Sequence, residues 1–431
     1  MLGVSNTVSL SDYKVSLDNG FLPDALPLKR LSSPYYRPWE DIVHDLPSLI
    51  QSGHVRDRIR QLPVLSANDE HLPDEREWQR AYVVLSYLMH AWIWGGEQPE
   101  QRLLPAIARP FLDVSERLEL PPCATYAALN LWNYTSTSED LTNPDNLDVL
   151  ASFTGTDDER WFFVVSVAIE AEGAKAIPLV FSAIEAVRRN DDARVALLLQ
   201  EMVHCLAKVI AILDRMHERL DPQVFYHRLR PLLAGSKNMA AAGLPNGVFY
   251  DSEDERSGWR QYSGGSNAQS SLIQLFDIAL GIEHLATGEI GPKARAHGAF
   301  MSEMRQYMPG PHRRFLEYIG SIANIRNFAM SLPVSSSVRQ AYNSLVLKLG
   351  ALRDAHIRIV SRYIIAPARQ RPPEGSSRKV NLATASMQPQ SSENGAPTAE
   401  KRVFYGTGGT TLMPFLKETR DETKAAARFV D

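Results

Sequence analysis

A single histidine on an apolar helix face is the residue of this 431-residue chain whose surroundings point most directly to chemistry. Apolar side chains recur every three or four positions between residues 339 and 366, and His356 shares their stripe with Leu349 and Leu352. It is either a core histidine satisfied by one hydrogen bond, which is the more frequent case, or an axial haem ligand in an apolar slot. In the second case Arg353, one turn earlier, would meet a haem propionate in a charge-assisted hydrogen bond.

An acidic residue in a second apolar stripe is the next candidate. Asp277 follows Leu272 and Phe276 in SSLIQLFDIALGI, and a carboxylate in such a stripe is rarely buried without a partner. It can form a salt bridge to a structural arginine, or it can orient the ligand histidine or a nearby arginine. The residues alone favour the salt bridge. His90 and His204 also lie in apolar helices, without a comparable basic neighbour, and are interpreted as core or edge residues.

A serine and two aromatic rings share a predicted helix face. Phe162, Phe163 and Ser166 are spaced by one and by three or four residues. Such a group is typical of a core patch whose serine bonds back to a helix carbonyl.

Two further features are suited to bind an anion. Arg230 lies four residues after Tyr226 and beside other apolar residues, so we expect its guanidinium to be partly covered. A covered arginine needs an anion, which a substrate carboxylate would supply. Gly265 and Ser266 lie at a predicted helix N-terminus, where free backbone N–H groups can receive an anion.

Charge, cysteine content and motifs exclude several classes of function. The 46 Lys and Arg against 50 Asp and Glu give a net charge of -4, which argues against a polybasic nucleic-acid binder. Two cysteines, Cys123 and Cys205, cannot build a disulfide scaffold or an iron–sulfur cluster. The chain has no His-Glu-x-x-His, Gly-x-Ser-x-Gly or phosphate-loop motif, and the glycine-rich stretch 406–410 lacks the lysine of a nucleotide cradle.

The same sequence gives no sign of targeting or of a membrane anchor. The N-terminus has no basic region followed by an apolar stretch, and the strongest apolar run, residues 161–169, is far shorter than a spanning helix. We therefore expect a cytoplasmic protein with no membrane or nucleic-acid partner.

The elements that must position these residues are helices. Helical periodicity or capping signals predict helices over residues 77–94, 156–187, 192–220, 266–285 and 339–366, and an Asp-Pro pair at 221–222 opens another. Pro367 is predicted to end the last of them. Alternation typical of strands is hard to find, so the fold class is all-α.

Composition predicts two helical domains and a mobile loop. A small N-terminal domain is expected over residues 1–117 and a large one over 118–431, with RLELPP at the boundary. Residues 367–402 are rich in Pro, Ser, Gln and Asn and poor in aromatic residues, which predicts a mobile loop before order resumes at Val403. The loop is interpreted either as a lid over the site or as a linker to a last helix.

Several segments, taken together, resemble the indoleamine 2,3-dioxygenase family, haem enzymes that open the indole ring of tryptophan. The segments occur in the family's order between residues 34 and 420, outside the predicted loop. In chain order they are PYYRPWEDIV, YLMHAWIWG, RLELPPCATYAALNLW, RWFFVVSVAIEA, DPQVFYHRLRPLLAG, SGGSNAQSS with the following FD, ALRDAHIRIVSRYIIAPA and YGTGGTTLMPFLK.

On the cofactor side, the resemblance implies haem b in the large domain. His356 matches the proximal ligand of the haem iron, and Arg353 matches an arginine near a propionate. Asp277 matches an acid associated with haem retention. Gly265 and Ser266 match the loop that lines the haem and the substrate pocket.

On the substrate side, the resemblance implies a pocket for an indole amino acid. Tyr126, Phe162 and Ser166 match the distal pocket that stacks the indole, and Phe163 is expected to help exclude water from it. Phe225 matches an aromatic wall of the pocket. Arg230 matches the arginine that pairs with the substrate carboxylate, and Thr407 matches a lid threonine. No acid or base is assigned as obligatory, and Ser166 is expected to tune the bound oxygen at most.

Two residues depart from the animal members of the family. Tyr226 stands in place of phenylalanine and adds a hydroxyl beside the substrate, and Asn267 stands in place of a small alanine near the substrate amino group. Both departures bear on the affinity and choice of substrate more than on the type of reaction.

The resemblance implies a monomeric enzyme that uses O₂ to convert L-tryptophan to N-formyl-L-kynurenine. This reaction would be the first step of the kynurenine pathway towards NAD, and it needs an electron donor that keeps the haem ferrous. Two alternatives remain: the same fold acting on tryptamine, D-tryptophan or a secondary-metabolite precursor, and a non-catalytic haem sensor. A retained Arg230 argues against substrates without a carboxylate, and a haem sensor would need neither Arg230 nor Thr407.

Overall fold

A computed structural model describes residues 9–282, 300–370 and 412–427. Helices account for most of this part of the chain, and residues 300–305 are helical as well. In chain order the longer helices are α1 (Arg37–His44), α2 (Leu46–Ser52), α3 (Val55–Arg60), α4 (Glu75–Trp94), α5 (Pro105–Arg117), α6 (Asp157–Gly173), α7 (Ala176–Arg188), α8 (Asp192–Asp214), α9 (Ser271–Ala279), α10 (Gly310–Ile322), α11 (Ile325–Ser331), α12 (Ser337–Val360) and α13 (Leu412–Ala425).

Short segments of 3-10, π or single-turn α-helix connect these helices. They are Leu10–Tyr13, Pro34–Tyr36, Ala127–Leu131, Pro144–Asn146, Arg215–Glu218, Pro222–Val224, Phe225–Leu229, Arg230–Leu233, Ala240–Ala242, Asn267–Gln269, Ser361–Ile365 and Ala366–Ala368. Three of them, Ala127–Leu131, Phe225–Leu229 and Ser361–Ile365, are π-helical. Such wide turns are rare and frequently mark functional sites.

The strands are two or three residues long: β1 (Arg102–Leu103), β2 (Tyr134–Ser136), β3 (Leu147–Val149), β4 (Val248–Tyr250) and β5 (Gly258–Arg260). β1 pairs parallel with β4, which pairs antiparallel with β5, and β2 pairs antiparallel with β3. These small sheets join loops and form no layer of the core. The predicted all-α class is confirmed.

The helix that carries His356 lies at the centre of the packing. α12 makes the most extensive contact of any pair with α8, and it also packs against α13; α8 packs in turn against α6 and α7. The stretch Asp192–Glu218 is long and apolar enough to cross a membrane by composition alone, a property that buried core helices share. In its most apolar window of 18 residues, 44% is buried inside this protein.

Capping residues explain where several helices begin. The Asp74 carboxylate accepts a hydrogen bond from the Glu77 N–H and starts α4, two residues before the predicted position. The Asp221 carboxylate accepts from the N–H groups of Gln223 and Val224, as its position before Pro222 predicts.

The helix predicted over residues 156–187 is in fact two helices, α6 and α7. Its start is correct, because the Thr156 hydroxyl accepts from the Glu159 N–H. The Glu159 carboxylate accepts from Ser152, Thr154 and the Phe153 N–H of the preceding loop. The break at residues 174–175 is explained by Pro178, which lacks an N–H and is tolerated only in the first turn of a helix.

The helix predicted over residues 266–285 is also shorter than expected. A 3-10 turn, Asn267–Gln269, follows Ser266, and α9 runs only from Ser271 to Ala279. Gly281 adopts a φ of +59°, and the Ile282 N–H donates to the Asp277 carbonyl, which closes the helix with a left-handed glycine.

The last predicted helix extends past Pro367. α12 starts at Ser337, continues into the π segment Ser361–Ile365, and helical geometry ends at Ala368. The wider turns of the π segment leave room for the proline ring, whose missing N–H would interrupt a regular α-helix. The first residues of the predicted loop are therefore helical, while its residues 371–402 and Val403 lie outside the described part. The predicted domain boundary after Arg117 stays a prediction.

Candidate active site

One cavity brings together most of the residues predicted from the sequence. Its lining is mainly apolar and comes from α6, α12, α13 and the segments around residues 126–130, 225–233 and 265–273. The predicted residues that line it are Tyr126, Phe162, Phe163, Ser166, Phe225, Arg230, Gly265, Ser266, Asn267, Arg353 and His356.

His356 faces this cavity as a neutral imidazole. Burial, assisted by the positive charge of Arg353, lowers the pKa of His356 to about 4. No residue in the described part of the chain forms a hydrogen bond with its ring. A neutral imidazole with a free nitrogen is the form in which histidine binds a metal ion.

Arg353 and Asp277 form a buried ion pair beside the histidine. Nη2 of Arg353 donates to both carboxylate oxygens of Asp277, at 2.9 and 2.8 Å, and the two side chains are 11% and 5% exposed. The salt bridge that the residues favour is therefore present, and its arginine is the one that lines the cavity. Asp277 itself lies behind the wall and orients Arg353.

Aromatic rings form the wall on the α6 side. The Phe162 ring centroid lies 5.4 Å from that of Phe163 and 4.9 Å from that of Phe225. Phe225 contacts Tyr363 edge-on at 6.1 Å. The Ser166 hydroxyl donates to the Phe162 carbonyl at 3.3 Å, as expected for a serine in a helix. This wall is suited to hold a flat apolar ring.

Arg230 supplies a buried cation to the same cavity. Its residue is 6% exposed, and burial lowers the pKa of its guanidinium. Phe225 and Arg230 bracket the π segment Phe225–Leu229, and the wide turn brings these two residues to the same side. A buried guanidinium that faces a cavity is suited to bind a carboxylate.

The loop that carries Ser266 approaches its neighbours closely. A Cβ at Gly265 would collide with the Leu129 side chain, and one at Gly264 would collide with the backbone of residues 233–235. The Ser266 hydroxyl accepts from the Ala268 N–H. The two glycines therefore allow the loop to form part of the wall.

Two predicted site residues do not line the cavity described here, and a third lies outside the described residues. Tyr226 packs against Ala368 and Ile364, 5.7 Å from the Arg230 guanidinium carbon. Its side chain is not among those that line the cavity, whereas the π turn directs its neighbours Phe225 and Arg230 there. The expected hydroxyl beside the substrate stays a prediction. Asp277 acts through Arg353, and Thr407 lies outside the described residues.

Three residues that the sequence analysis did not assign to the site support the walls. The His90 ring donates from Nδ1 to the Leu232 carbonyl at 2.8 Å and accepts at Nε2 from the Ala124 N–H at 3.2 Å. Burial lowers the pKa of His90 to about 4, so the ring stays neutral. The Trp94 indole donates to the Ala234 carbonyl at 2.8 Å. α4 thus anchors the segment after Arg230. The third residue, Glu170, lies on α6 behind the wall.

Replacing His90 by leucine is expected to lower the free energy of unfolding. The change leaves a buried carbonyl and a buried N–H without partners, at a cost of about 1–3 kcal/mol each. Urea denaturation followed by circular dichroism measures the loss. His204 is exposed on α8, and His204→Leu is the control, with an expected change within about 0.5 kcal/mol. Equal stability of His90→Leu and wild type would contradict this role.

The fold and the cavity define a class of protein. A helical fold that presents one neutral histidine and a buried carboxylate-binding arginine to an apolar cavity is suited to an oxidoreductase that holds haem by a single protein ligand. Within the described residues no group of three or more His, Cys, Asp or Glu could hold a bare metal ion.

Comparison with known proteins identifies the family. The indoleamine 2,3-dioxygenase family model matches residues 9–426. The chain is 45% identical to indoleamine 2,3-dioxygenase qulI of Penicillium citrinum (97% of this chain, 89% of the relative) and 40% identical to indoleamine 2,3-dioxygenase of Saccharomyces cerevisiae (97% and 93%). It is 37% identical to 6-hydroxytryptophan 2,3-dioxygenase fscD of Fusarium equiseti, with 96% of each covered. The chain belongs to the indoleamine 2,3-dioxygenase family of haem-dependent dioxygenases and is an enzyme of that class.

Proposed function

We propose that this enzyme cleaves the C2–C3 bond of the indole ring of L-tryptophan with O₂ and forms N-formyl-L-kynurenine. The observation that carries the proposal is that His356 and Arg230 line the same cavity as the aromatic side chains of α6. An indole amino acid has the matching parts, a flat ring and a carboxylate. Membership of the family supports the reaction type.

The residues present fit haem b. His356 offers a neutral imidazole without a hydrogen-bond partner among the described residues, and Arg353 offers a cation, fixed by Asp277, for a propionate. Apolar side chains of α12 and α13, among them Leu352 and Phe415, line the cavity around them. When bound, the haem supplies the iron at which O₂ is activated.

The side chains of the wall bind and orient the substrate and exclude water from it. Arg230 pairs with the carboxylate, and Phe162 and Phe225 hold the indole, so the reacting carbons lie in one place relative to the cofactor. Apart from His356, the described lining residues include no histidine, aspartate or glutamate. We therefore assign no side chain as an obligatory acid or base, and Ser166 only tunes polarity.

A ring-substituted indole amino acid is the second candidate substrate. The relative from Fusarium equiseti is named a 6-hydroxytryptophan 2,3-dioxygenase. Asn267 and Asn130 add polar side chains to the lining, and either could hydrogen-bond to a substituent or to the amino group. Tryptamine, which lacks a carboxylate, would form no ion pair with the buried Arg230.

The two cysteines bear on the cellular setting of the enzyme. Cys123 and Cys205 are free and buried, which fits a reducing compartment such as the cytoplasm. We propose a monomer that receives electrons from a cellular donor, which keeps the iron ferrous, and that feeds the kynurenine pathway towards NAD.

Turnover of a defined set of indoles tests the proposal. Haem-loaded protein is reduced without oxygen, and O₂ is then added with L-tryptophan, 6-hydroxytryptophan, D-tryptophan or tryptamine. The formylkynurenine absorbance band with L-tryptophan is the expected result. Faster turnover of 6-hydroxytryptophan would favour the second candidate, and a normal haem spectrum without turnover of any of the four would overturn the proposal.

A further inference from the structure

Glu170 is a buried carboxyl group directly behind the cavity wall. It lies on α6 one turn after Ser166, is 2% exposed, and is not itself a lining residue. Its Oε1 accepts hydrogen bonds from the Tyr126 hydroxyl at 3.0 Å and from the Ser270 hydroxyl at 2.6 Å. Because both donors line the cavity, one oxygen atom joins α6 to two other parts of the wall.

Burial of a carboxyl group in this position lowers the free energy of unfolding. No described residue forms a hydrogen bond with its Oε2, which is shielded from solvent. Burial raises the pKa of Glu170 to about 7, and the hydrogen bonds from Ser270 and Tyr126 partly oppose this rise. A half-satisfied buried polar group is usually less stable than an apolar one of the same size. Stability of the fold therefore does not explain why glutamate is present.

A second link joins the same two parts of the wall. The Gln269 side chain accepts from the Tyr126 N–H at 2.9 Å and donates to the Gly264 carbonyl at 2.9 Å. Gln269 thus holds the backbone of Tyr126 against the loop. Glu170 holds the hydroxyl end of the Tyr126 ring and the end of the loop at Ser270. Without Glu170, the ring and Ser270 would lose their common anchor.

We propose that Glu170 is a positioning residue for the substrate. It holds the Tyr126 ring and the loop of residues 264–270 in the arrangement in which they contact the bound indole amino acid. It acts through Tyr126 and Ser270 and does not touch the substrate. This inference rests on the function proposed above. It adds Glu170 to the residues that position the indole.

Two variants of the full-length, haem-loaded enzyme test the proposal. Glu170→Leu keeps the size but removes the acceptor, and we expect kcat/KM for L-tryptophan to fall about 10- to 100-fold, mostly through KM, because small misplacements of a substrate have effects of this size. Glu170→Gln keeps an oxygen that accepts both hydroxyls and should stay within about threefold of wild type. A merely structural role would lower the yield of active enzyme and leave its KM unchanged.

Glu159 offers a matched control on the same helix. It is also a buried carboxylate, and its partners Ser152, Phe153 and Thr154 do not line the cavity. Glu159→Gln should leave KM unchanged even where it lowers stability. If Glu170→Leu does not fold, Ser270→Ala replaces it, with an expected rise in KM of severalfold.

A wild-type KM in Glu170→Leu, or in Ser270→Ala where that variant replaces it, overturns the positioning role. A loss in Glu170→Gln as large as in Glu170→Leu also overturns it, because hydrogen-bond acceptance would then not be the cause. Failure of the proposed function is a separate result, namely no turnover by the wild-type enzyme. In that case the dissociation constants of the wild type, Glu170→Leu and Glu170→Gln for L-tryptophan, measured by calorimetry, take the place of KM in the comparison.

Discussion

The His356→Ala variant is expected to purify with at least about tenfold less haem per chain than the wild type. Even the loss of a group that only orients a ligand lowers metal affinity 10- to 100-fold, and this change removes the ligand itself. The side chain lines the cavity with no hydrogen-bond partner among the described residues, so its removal breaks no described hydrogen bond of the ring. The ratio of Soret to protein absorbance measures haem content, and circular dichroism checks the fold.

The other histidines serve as controls for this result. His204 is exposed on α8, and His204→Ala should bind haem normally. Both ring nitrogens of His90 are already hydrogen-bonded to backbone groups, so His90 is not available as a ligand. Imidazole added to His356→Gly should restore an axial-nitrogen spectrum. A normal axial-histidine spectrum in His356→Ala without added imidazole would contradict the assignment.

Local sequence patterns were sufficient to predict the class of fold and the approximate positions of the longest helices, α4, α6, α8 and α12. The stripe around His356 follows from helical periodicity alone, and it belongs to α12, the helix at the centre of the packing. Capping signals were correct where one side chain decides the outcome, as at Thr156 and Asp221. Helix ends were wrong where a second residue intervened, namely Pro178 after α6 and Gly281 after α9.

The direction of some side chains depends on turns that the sequence does not reveal. Tyr226 and Arg230 share a face if the segment is an α-helix, which is how their spacing was interpreted. The segment Phe225–Leu229 is a π-helix, and its wider turn places Phe225 and Arg230 on the cavity side. A resemblance identifies which residues correspond, but it does not show where each side chain points.

The supporting residues could not be found from the sequence, because their partners are distant in the chain. Glu170 binds hydroxyls 44 and 100 residues away, and His90 binds a carbonyl 142 residues away. Locally, Glu170 only marks the end of an apolar run, and His90 only belongs to an apolar helix. Their roles depend on tertiary packing. For Glu170, this packing brings together α6, the segment that carries Tyr126 and the loop that ends at Ser270.

Arg230→Ala is expected to raise KM for L-tryptophan at least about 30-fold and to leave the haem spectrum unchanged. Removing one partner of a buried charge pair costs about 2–5 kcal/mol, and each 1.4 kcal/mol corresponds to a factor of ten. The effect on tryptamine separates charge from shape, because that molecule has no carboxylate to lose. We expect its binding to Arg230→Ala to be unchanged or tighter. Steady-state kinetics and calorimetry with the two ligands measure these differences.

Arg228 is the matched control for this prediction. It lies in the same segment and carries the same charge, but it is exposed and does not line the cavity. Arg228→Ala should bind L-tryptophan as the wild type does. If both variants weaken L-tryptophan equally, general charge attraction explains the effect and not a buried pair. If Arg230→Ala weakens L-tryptophan and tryptamine equally, Arg230 shapes the wall and does not bind the carboxylate, and another residue must hold that end of the substrate.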